Sequence, residues 1–434
     1  MKILNFLKNK EIKNAGWIIG EQIFQMVVSL VIGVISARYL GPKNYGALNY
    51  TASFVTFFLA IATLSSEGVV LKKIIEHPDK EGEYLGTNLV FRLCSSLVSI
   101  VLIAIVVYVL NPGETIKLLL VLLQSTQLLF RAFFILDSWF QRYLKAKYIS
   151  IGKMVACIVV AVYKIFLLVT SKSIIWFAAS NALTDLVISV LLLIFYKREN
   201  GQAFKFNFRC GTEVLSQSYH FIISGIMTSL YGQMDRIMIG QSLSDADVGY
   251  YTVGSALCSM WIFVPIAIIN SFRPSIMELK KRGEEEKYIV RLEQLYSAII
   301  WLCIVVSVGV MLLGKLAIHL LYGPEYYPAI TALRIVIWCE VFSMIGSARG
   351  IWILSENKNK YVKYYLFIGV IVNLILNAVL IPIFGISGAA FATLITQICT
   401  SVIAPLLFKQ TRVHTKLVWE AFCLKWYWKG MGKK

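Results

Sequence analysis

Long apolar runs alternate with short polar connections along the whole chain. A run of about 20 or more apolar residues is long enough to cross a ~30 Å hydrocarbon layer as an α-helix, which bonds its backbone polar groups internally. The pattern predicts twelve spans, at residues 14–39, 45–71, 84–110, 115–136, 148–171, 174–196, 213–241, 247–274, 288–314, 328–354, 361–381 and 386–408. We therefore expect an all-α integral membrane protein.

The polar turn after the first span has a counterpart in the middle of the chain. Leu40-x5-Gly46 matches Leu243-x5-Gly249, 203 positions later, and a tyrosine follows closely behind each glycine. Two further pairs match at offsets of 213 and 212: KAKYI with KNKYV, and AASNALTD with AFATLITQ. These similar offsets indicate that spans one to six and seven to twelve are two copies of one unit.

The two copies each contain an even number of spans, so both begin on the same side of the membrane. This is a parallel repeat about an axis along the membrane normal, and such halves usually enclose a site near the midplane. The predicted division is a six-helix half at 1–205, a second at 206–408, and a basic, aromatic tail at 409–434. The tail mixes Trp and Lys, which is typical of a segment on the inner membrane surface.

Charge decides the orientation of the spans. Hydrophobic residues make up 58% of the 434 residues and the net charge is +18. Connections on one side of the predicted membrane carry 30 Lys and Arg residues and those on the other side carry 4. Because cytoplasmic connections are the basic ones, both termini are expected in the cytoplasm, and the basic N-terminus is expected to lead into an uncleaved first span. The positive charge then faces anionic lipid and does not indicate nucleic acid.

Motifs for catalysis, metals and nucleotides are absent from the sequence. The eight cysteines form no CxxC, the four histidines form no HExxH, and no GxxxxGK[ST] loop occurs. Every predicted connection is short. We expect neither a cofactor nor a metal, and no soluble catalytic domain.

Three segments carry a resemblance to a known family: ARYLGPKNYGALNY, MDRIMIGQSLSDADVGYYTVGSAL and GISGAAFATLITQ. The chain resembles Wzx-type polysaccharide flippases of the multidrug/oligosaccharidyl-lipid/polysaccharide exporter superfamily, whose fold is MATE-like. The resemblance implies transport of undecaprenyl-pyrophosphate-linked oligosaccharide across the bacterial cytoplasmic membrane. O-antigen, capsule, exopolysaccharide and peptidoglycan-precursor units are all open as cargo. Possible partners are Na⁺ or H⁺ and the polysaccharide polymerase and chain-length machinery.

Charged residues inside predicted spans are costly in lipid and are therefore candidate functional residues. An anionic headgroup needs cations along its route, and the guanidinium fork suits phosphate. The candidates for a pyrophosphate path are Arg92, Arg131, Arg236, Arg273, Arg349 and Lys164. The candidates for coupling an ion or balancing these charges are Asp185, Asp235 and Glu340. Asp235 is expected to pair with a cation on another span, and Asp137 to be solvated at the cytoplasmic rim.

Two other functions remain open. A multidrug exporter driven by Na⁺ or H⁺ antiport would favour carboxylates, whereas basic residues outnumber acids by eight to six among the charged residues that we expect to be buried. A membrane polysaccharide polymerase or glycosyltransferase would need a large external loop, and the longest predicted one, near 314–327, is short. The sequence therefore favours transport over catalysis.

Overall fold

The computed structural model describes residues 10–64 and 66–426, with side chains from Gly16 onward. The first residues, Ser65 and the end of the predicted tail, 427–434, lie outside the described residues. Within the described ranges all regular secondary structure is helical. By its contacts the chain divides into two compact units, Met1–Gln233 and Met234–Lys434.

The first unit contains eight helices and the greater part of a ninth. They are α1 (Lys10–Ala62), α2 (Glu67–Glu76), α3 (Glu81–Leu110), α4 (Thr115–Ser125), α5 (Gln127–Arg131), α6 (Leu136–Arg142), α7 (Ala146–Val169), α8 (Ile174–Arg198) and α9 (Phe208–Ser242). Short 3₁₀ turns at Pro78–Lys80 and Ala132–Ile135 connect them. The boundary between the units falls inside α9, whereas the sequence-based division at 205/206 precedes that helix.

The second unit continues from the end of α9. Its helices are α10 (Asp245–Ser259), α11 (Phe263–Lys281), α12 (Glu285–Leu321), α13 (Ala329–Ser355), α14 (Val362–Phe384), α15 (Ile386–Ile398), α16 (Ala404–Leu407) and α17 (Arg412–Phe422). Two 3₁₀ turns, Pro324–Tyr326 and Asn359–Tyr361, precede α13 and α14. A π-helical segment, Cys399–Ile403, joins α15 to α16.

Ten helical segments of the described chain are long and apolar enough to cross a bilayer. The first, Gly16–Glu76, contains two of the twelve predicted spans. A further predicted span, 213–241, lies on α9, which is too polar to be counted among the ten. Within the described residues each of the twelve predicted spans is therefore largely helical, and the difference between ten and twelve comes from one merged pair and one polar helix.

The repeated turn is built differently in the two units. In the first, Gly41 adopts φ 69° and ψ 169° inside α1, a conformation that a side chain would strain, and Pro42 follows it. In the second, Ser244 caps α10 through a capping box with Asp247. The break expected near Pro265 is also present, because α10 ends at Ser259 and α11 begins at Phe263. Both copies of the turn thus separate consecutive spans.

The extended segment 201–207 lies tightly against the start of α3. The Lys205 amide donates to the Gly82 carbonyl at 3.0 Å, and the Asn207 amide donates to Thr87 Oγ1 at 2.8 Å. A Cβ on Gly82 would lie 2.2 Å from the Ala203 carbonyl oxygen, so only glycine allows this approach. The segment that leads into α9 is therefore fixed to the first unit.

Candidate functional site

A cavity of about 270 Å³ lies inside the first unit, between α1, α7 and α8. Lys153, Cys157 and Lys164 share one face of α7, since they are separated by four and seven residues. Its remaining lining residues are Gln25, Val28, Ser29, Ile32, Gly33, Val160, Ala161, Asn181 and Thr184. The two lysines are the only charged residues in this lining, all of which belongs to the described chain. The lining of the cavity is therefore cationic, while the buried acid Glu21, one turn before Gln25 on α1, acts electrostatically on Lys153 from outside the lining.

The chemistry of this lining suits an anion that carries hydroxyl groups. Lysine ammonium groups are compact positive charges with three donors each, and they bind phosphate as point charges. The amides of Gln25 and Asn181 can both donate to and accept from hydroxyl groups. Sequence reasoning named Lys164 but counted Lys153 with the cytoplasmic connections. The spacing of the two lysines on one helix face is the signal that could have paired them.

Arg131 forms a direct ion pair with Asp185, the residue that follows the cavity residue Thr184 on α8. The Arg131 Nη1 lies 3.1 Å from Asp185 Oδ1 and 3.4 Å from Oδ2. Arg131 also stacks over Phe134, with its guanidinium carbon 4.6 Å from the ring centroid. The Asp185 side chain is buried whereas the Arg131 side chain is 38% exposed. One candidate path residue and one candidate acid are thus brought together.

Arg92 is fully buried and is held by the start of α2. Its Nη2 lies 2.9 Å from Glu67 Oε1, and both Nε and Nη2 donate to Ser66 Oγ, at 3.2 and 3.0 Å. Its Nη1 has no hydrogen-bond partner in the part of the chain that the structure describes. Arg92 therefore has an ion-pair partner but keeps one unused donor.

Asp235 is buried in the second unit at the centre of a neutral hydrogen-bonding shell. Tyr251 Oη and Thr393 Oγ1 each donate to Oδ2 at 2.5 Å. The amides of Asn377 and Asn373 donate to Oδ1 at 2.7 and 3.3 Å. No lysine or arginine of the described residues lies within ion-pair distance, so the expected cation partner was wrong. Four neutral donors from α10, α14 and α15 solvate this carboxylate instead.

Sequence reasoning missed the residues of this shell as a group. Asn373 and Asn377 are one helical turn apart on α14, and Asn377 Nδ2 also donates to Asn373 Oδ1 at 3.0 Å. Two buried amides at this spacing in an apolar helix are a recognisable signal. Which carboxylate they face depends on the packing of α14 against α9, which the sequence does not give.

The other candidates in the second unit occupy different surroundings. Arg236 is partly buried and Arg273 is exposed. Arg349 is buried, donates from Nη1 to the Thr400 carbonyl at 2.6 Å, and stacks over Tyr365. Glu340 is partly buried and makes no hydrogen bond or ion pair with other described residues. The structure therefore does not join these four into one site.

The C-terminal helix α17 covers the region around Arg349. His414 is fully buried between the rings of Tyr296 and Trp352, with centroid distances of 5.4 and 5.6 Å. Neither ring nitrogen has a hydrogen-bond partner within the described residues. Burial and then the nearby Arg349 charge lower the pKa of His414 well below its usual range. The histidine is therefore held neutral in the docked helix.

A family model described as polysaccharide biosynthesis protein matches residues 12–280. The chain belongs to this family. Among the curated relatives of this chain, the probable flippase AglR of Haloferax volcanii is 30% identical to it over 177 residues. That match covers 40% of this chain and 37% of AglR. The chain spans less than half the length of the curated relatives that it matches.

Solved structures show the fold of this family member. The lipid II flippase MurJ in an inward closed conformation aligns with a TM-score of 0.74 at 14% identity, over 93% of this chain and 90% of that chain. An inward-facing multidrug resistance MATE family transporter of the MOP superfamily aligns with a TM-score of 0.64 at 14% identity, over 91% and 96% of the two chains. The predicted fold class, all-α and MATE-like with about twelve transmembrane helices, is confirmed.

Proposed function

We propose that this polysaccharide biosynthesis protein is a flippase for undecaprenyl-pyrophosphate-linked oligosaccharide repeat units. It moves them from the cytoplasmic to the outer leaflet by alternating access and performs no covalent chemistry on them. The observation that carries the proposal is the cavity whose lining holds two lysines, Lys153 and Lys164, and no acid, while Glu21 and Asp137 act on Lys153 from outside the lining. Two positive charges in a membrane-embedded site match the negative charges of a pyrophosphate diester and disfavour cationic cargo.

The neutral part of the cavity supports a sugar next to the phosphates. Gln25, Ser29, Asn181 and Thr184 offer amide and hydroxyl groups at its wall. At about 270 Å³ the cavity is smaller than the usual 300–1,000 Å³ of a drug-sized pocket. It therefore fits the phosphate end of the cargo and leaves most of the oligosaccharide outside.

We place the protein in the bacterial cytoplasmic membrane with both termini in the cytoplasm, on the basis of the charge distribution of its connections. Its six-helix halves are the predicted ones, 1–205 and 206–408, with the tail 409–434 at the inner surface. O-antigen or a related surface polysaccharide is the proposed product. The polymerase and the chain-length machinery are the proposed partners that receive the translocated unit.

The three candidate acids differ in how well they suit ion coupling. Asp185 is held by Arg131 and fits charge balance. Asp235 has the hydroxyl oxygens of Tyr251 and Thr393 next to it, and oxygen is the ligand type that a hard cation such as Na⁺ prefers. Glu340 has no partner in the described chain and fits exchange of H⁺. We propose Asp235 as the first coupling site to test and Glu340 as the second.

A multidrug exporter driven by Na⁺ or H⁺ antiport is the second candidate. The observation that favours it is the similarity of fold to the MATE family transporter. The lining of the cavity argues against it, because cationic drugs need acidic groups and the cavity presents lysines.

The test is a Lys153→Gln/Lys164→Gln variant expressed at matched levels in a strain deleted for the chromosomal copy. A charge-assisted hydrogen bond contributes about 1.5–3 kcal/mol, so losing even one weakens headgroup binding roughly tenfold or more. We expect lipid-linked oligosaccharide to accumulate on the inner leaflet and surface polysaccharide to fall. Lys147→Gln, which removes an exposed lysine of the same helix, is the matched control and should export normally.

The same strains distinguish the two transport functions. Dye and drug efflux is measured beside surface polysaccharide in the deletion strain. Normal polysaccharide together with lost efflux would reject the flippase in favour of the multidrug exporter. Recovery by Lys153→Arg/Lys164→Arg would show that the cavity needs positive charge and tolerates the larger guanidinium groups.

A further inference from the structure

The cavity of the first unit and the hydrogen-bonding shell of Asp235 in the second unit lie between helices that the internal repeat relates. The offsets of the repeat pair α1 with α9 at 203 positions, α7 with α14 at 213 and α8 with α15 at 212. The helix boundaries keep the last offset, since α8 begins at Ile174 and α15 begins at Ile386. The cavity lies between α1, α7 and α8, and the shell draws on α9, α14 and α15. The two sites therefore occupy equivalent places in their units.

Asp235 and three of its four hydrogen-bond partners have first-unit counterparts that line the cavity. The offsets give the pairs Asp235 with Ile32, Asn377 with Lys164, Asn373 with Val160 and Thr393 with Asn181. Asp235 and Ile32 are also equally buried, each residue being 8% exposed. Four coinciding positions on three helices identify the cavity as the first-unit counterpart of the site around Asp235.

Two of these pairs differ in charge, and both differ in the same direction. Ile32 is neutral where the second unit has the acid Asp235, and Lys164 is a cation where the second unit has the neutral Asn377. In the second unit Asn377 Nδ2 donates to Asp235 Oδ1 at 2.7 Å, and Asn377 Oδ1 has no hydrogen-bond partner among the described residues. A carboxylate beside an unused amide oxygen favours a cation, whereas an ammonium beside an aliphatic side chain favours an anion.

We propose that Ile32 and Lys164 make the first-unit cavity selective for anions, by inverting the charge of the site that Asp235 and Asn377 form in the second unit. The inference rests on the proposed function, because it concerns the cavity that would hold the pyrophosphate headgroup. It assigns the selectivity of that cavity to two positions on facing helices. Ile32 contributes by leaving out the acid that would otherwise pair with Lys164.

Lys153 lies at a different level of the cavity, nearer the start of α7. Lys153 precedes Lys164 by eleven residues and Glu21 precedes Ile32 by eleven residues, which is about 16 Å along each helix. Glu21 and Asp137 act electrostatically on Lys153 from outside the lining. Asp137 is partly buried and its Oδ1 is enclosed, so the expectation that solvent surrounds this acid was wrong. Lys164 forms no ion pair within the described chain, so its charge is left for an anion.

The experiment moves the charge pattern of the second unit into the first. It uses the full-length protein in lipid nanodiscs, with Asp235→Asn as the parent so that the second-unit acid is absent. In Ile32→Asp/Lys164→Asn, inorganic pyrophosphate measured by titration calorimetry should bind at least about tenfold more weakly than in the parent. Replacing choline chloride with NaCl should raise the unfolding temperature of this variant at least about 1 °C further than that of the parent, because Na⁺ binds the new site only in the folded state.

Ser29→Asp/Lys164→Asn in the same parent is the matched control, because it places the same acid one helical turn away on the cavity wall. This control should lose pyrophosphate binding without the gain from Na⁺. An absent gain in Ile32→Asp/Lys164→Asn, or an equal gain in the control, would overturn the inference, and pyrophosphate binding by wild type would then leave the flippase standing. Failure of wild type to bind pyrophosphate would overturn both.

Ile32→Asp alone replaces the double variant if that variant does not fold. Because Asp235 and Asn377 are in direct contact, an acid at position 32 should reach Lys164 and pair with it. Pyrophosphate should then bind at least about tenfold more weakly than in wild type, and Ser29→Asp, one turn away from this contact, should weaken binding less. Equal weakening by the two substitutions would reject the role of position 32.

Discussion

Asp185 and Asp235 are both buried acids on predicted spans, yet the protein compensates them in opposite ways. Asp185, in the first unit, faces the guanidinium of Arg131, which is itself 38% exposed. Asp235, in the second unit, receives four hydrogen bonds from neutral groups and no ion pair from the described residues. A cation balances the charge of Asp185, whereas neutral hydrogen-bond donors solvate the charge of Asp235 without balancing it.

The difference teaches that charge and hydrogen bonding are separable contributions at a buried carboxylate. Charge compensation at Asp185 is lost when either side chain becomes neutral. Hydrogen-bond compensation at Asp235 depends on shape, because it needs an acceptor at that position more than it needs a negative charge. The charge of Asp235 has no counter-ion among the described residues, which is why we propose this acid as a coupling site.

The largest effect should come from replacing each acid with leucine. Asp235→Leu leaves Tyr251, Thr393, Asn373 and Asn377 without their acceptor, and a lost acceptor costs about 1 kcal/mol or more for each donor. We expect a loss of roughly 4 kcal/mol in the free energy of unfolding, or no folded protein. Asp185→Leu leaves one cation that reaches solvent through its exposed side, so it should cost less. Thermal unfolding in matched nanodiscs measures both, and a greater loss for Asp185→Leu would break the comparison.

Replacing each acid with asparagine should change the free energy of unfolding less than leucine does, and here Asp185→Asn should lose more stability than Asp235→Asn. In Asp235→Asn the amide oxygen accepts from Asn373 and Asn377, and the new NH₂ donates to the hydroxyls of Tyr251 and Thr393, which can rotate. We expect its unfolding free energy to stay within about 1 kcal/mol of wild type or to rise, since a buried charge is removed. Asp185→Asn should lose about 1 kcal/mol, because Arg131 loses its counter-ion while keeping access to solvent.

Export assays of the same asparagine variants sharpen the comparison. Asp235→Asn should fold and yet lose transport if its charge couples an ion, whereas Asp185→Asn should lose transport only as far as it loses folded protein. Wild-type transport by a well-folded Asp235→Asn would remove Asp235 as the coupling site. Glu340→Gln would then be the next variant to measure.

The smallest effect is the pH dependence of stability that comes from His414, a buried base with neither a counter-ion nor a hydrogen bond from the described residues. Its folded-state pKa lies below the unfolded value of about 6.5. The unfolded or undocked state therefore binds more protons in acid, and stability present above pH 6.5 is lost as the pH falls. Between pH 7 and pH 6 the expected loss is about 0.7 kcal/mol. His414→Phe should flatten this dependence in thermal unfolding, and His77→Gln, at an exposed position, should keep it. An unchanged slope in His414→Phe would show that α17 docks without regard to this residue.

Much of the architecture could be predicted from the chain alone, because spans are long, apolar and local. The twelve predicted spans are largely helical within the described residues, and the break near Pro265 leaves this proline in the first turn of α11, where a missing N–H costs no helical hydrogen bond. The repeated turn could also be predicted, since Gly41 is needed where the backbone adopts a positive φ.

The residues of the candidate site were harder to predict from the sequence than the helices were. Burial cost named Lys164, which lines the cavity, and Arg131 and Asp185, which form an ion pair, but by the same criterion it named Arg273, which is exposed.

What the sequence by itself determined is therefore a set of helices, their turns and the charges that cannot face lipid, because hydrophobic length and backbone hydrogen bonding act over neighbouring residues. The tertiary structure alone decided which groups compensate those charges. Lys153 joins Lys164 only because α7 turns that face towards α1 and α8. Asp235 meets Asn377 across 142 positions of chain only through helix packing. Electrostatic partners are set by distances in space, and no local pattern encodes them.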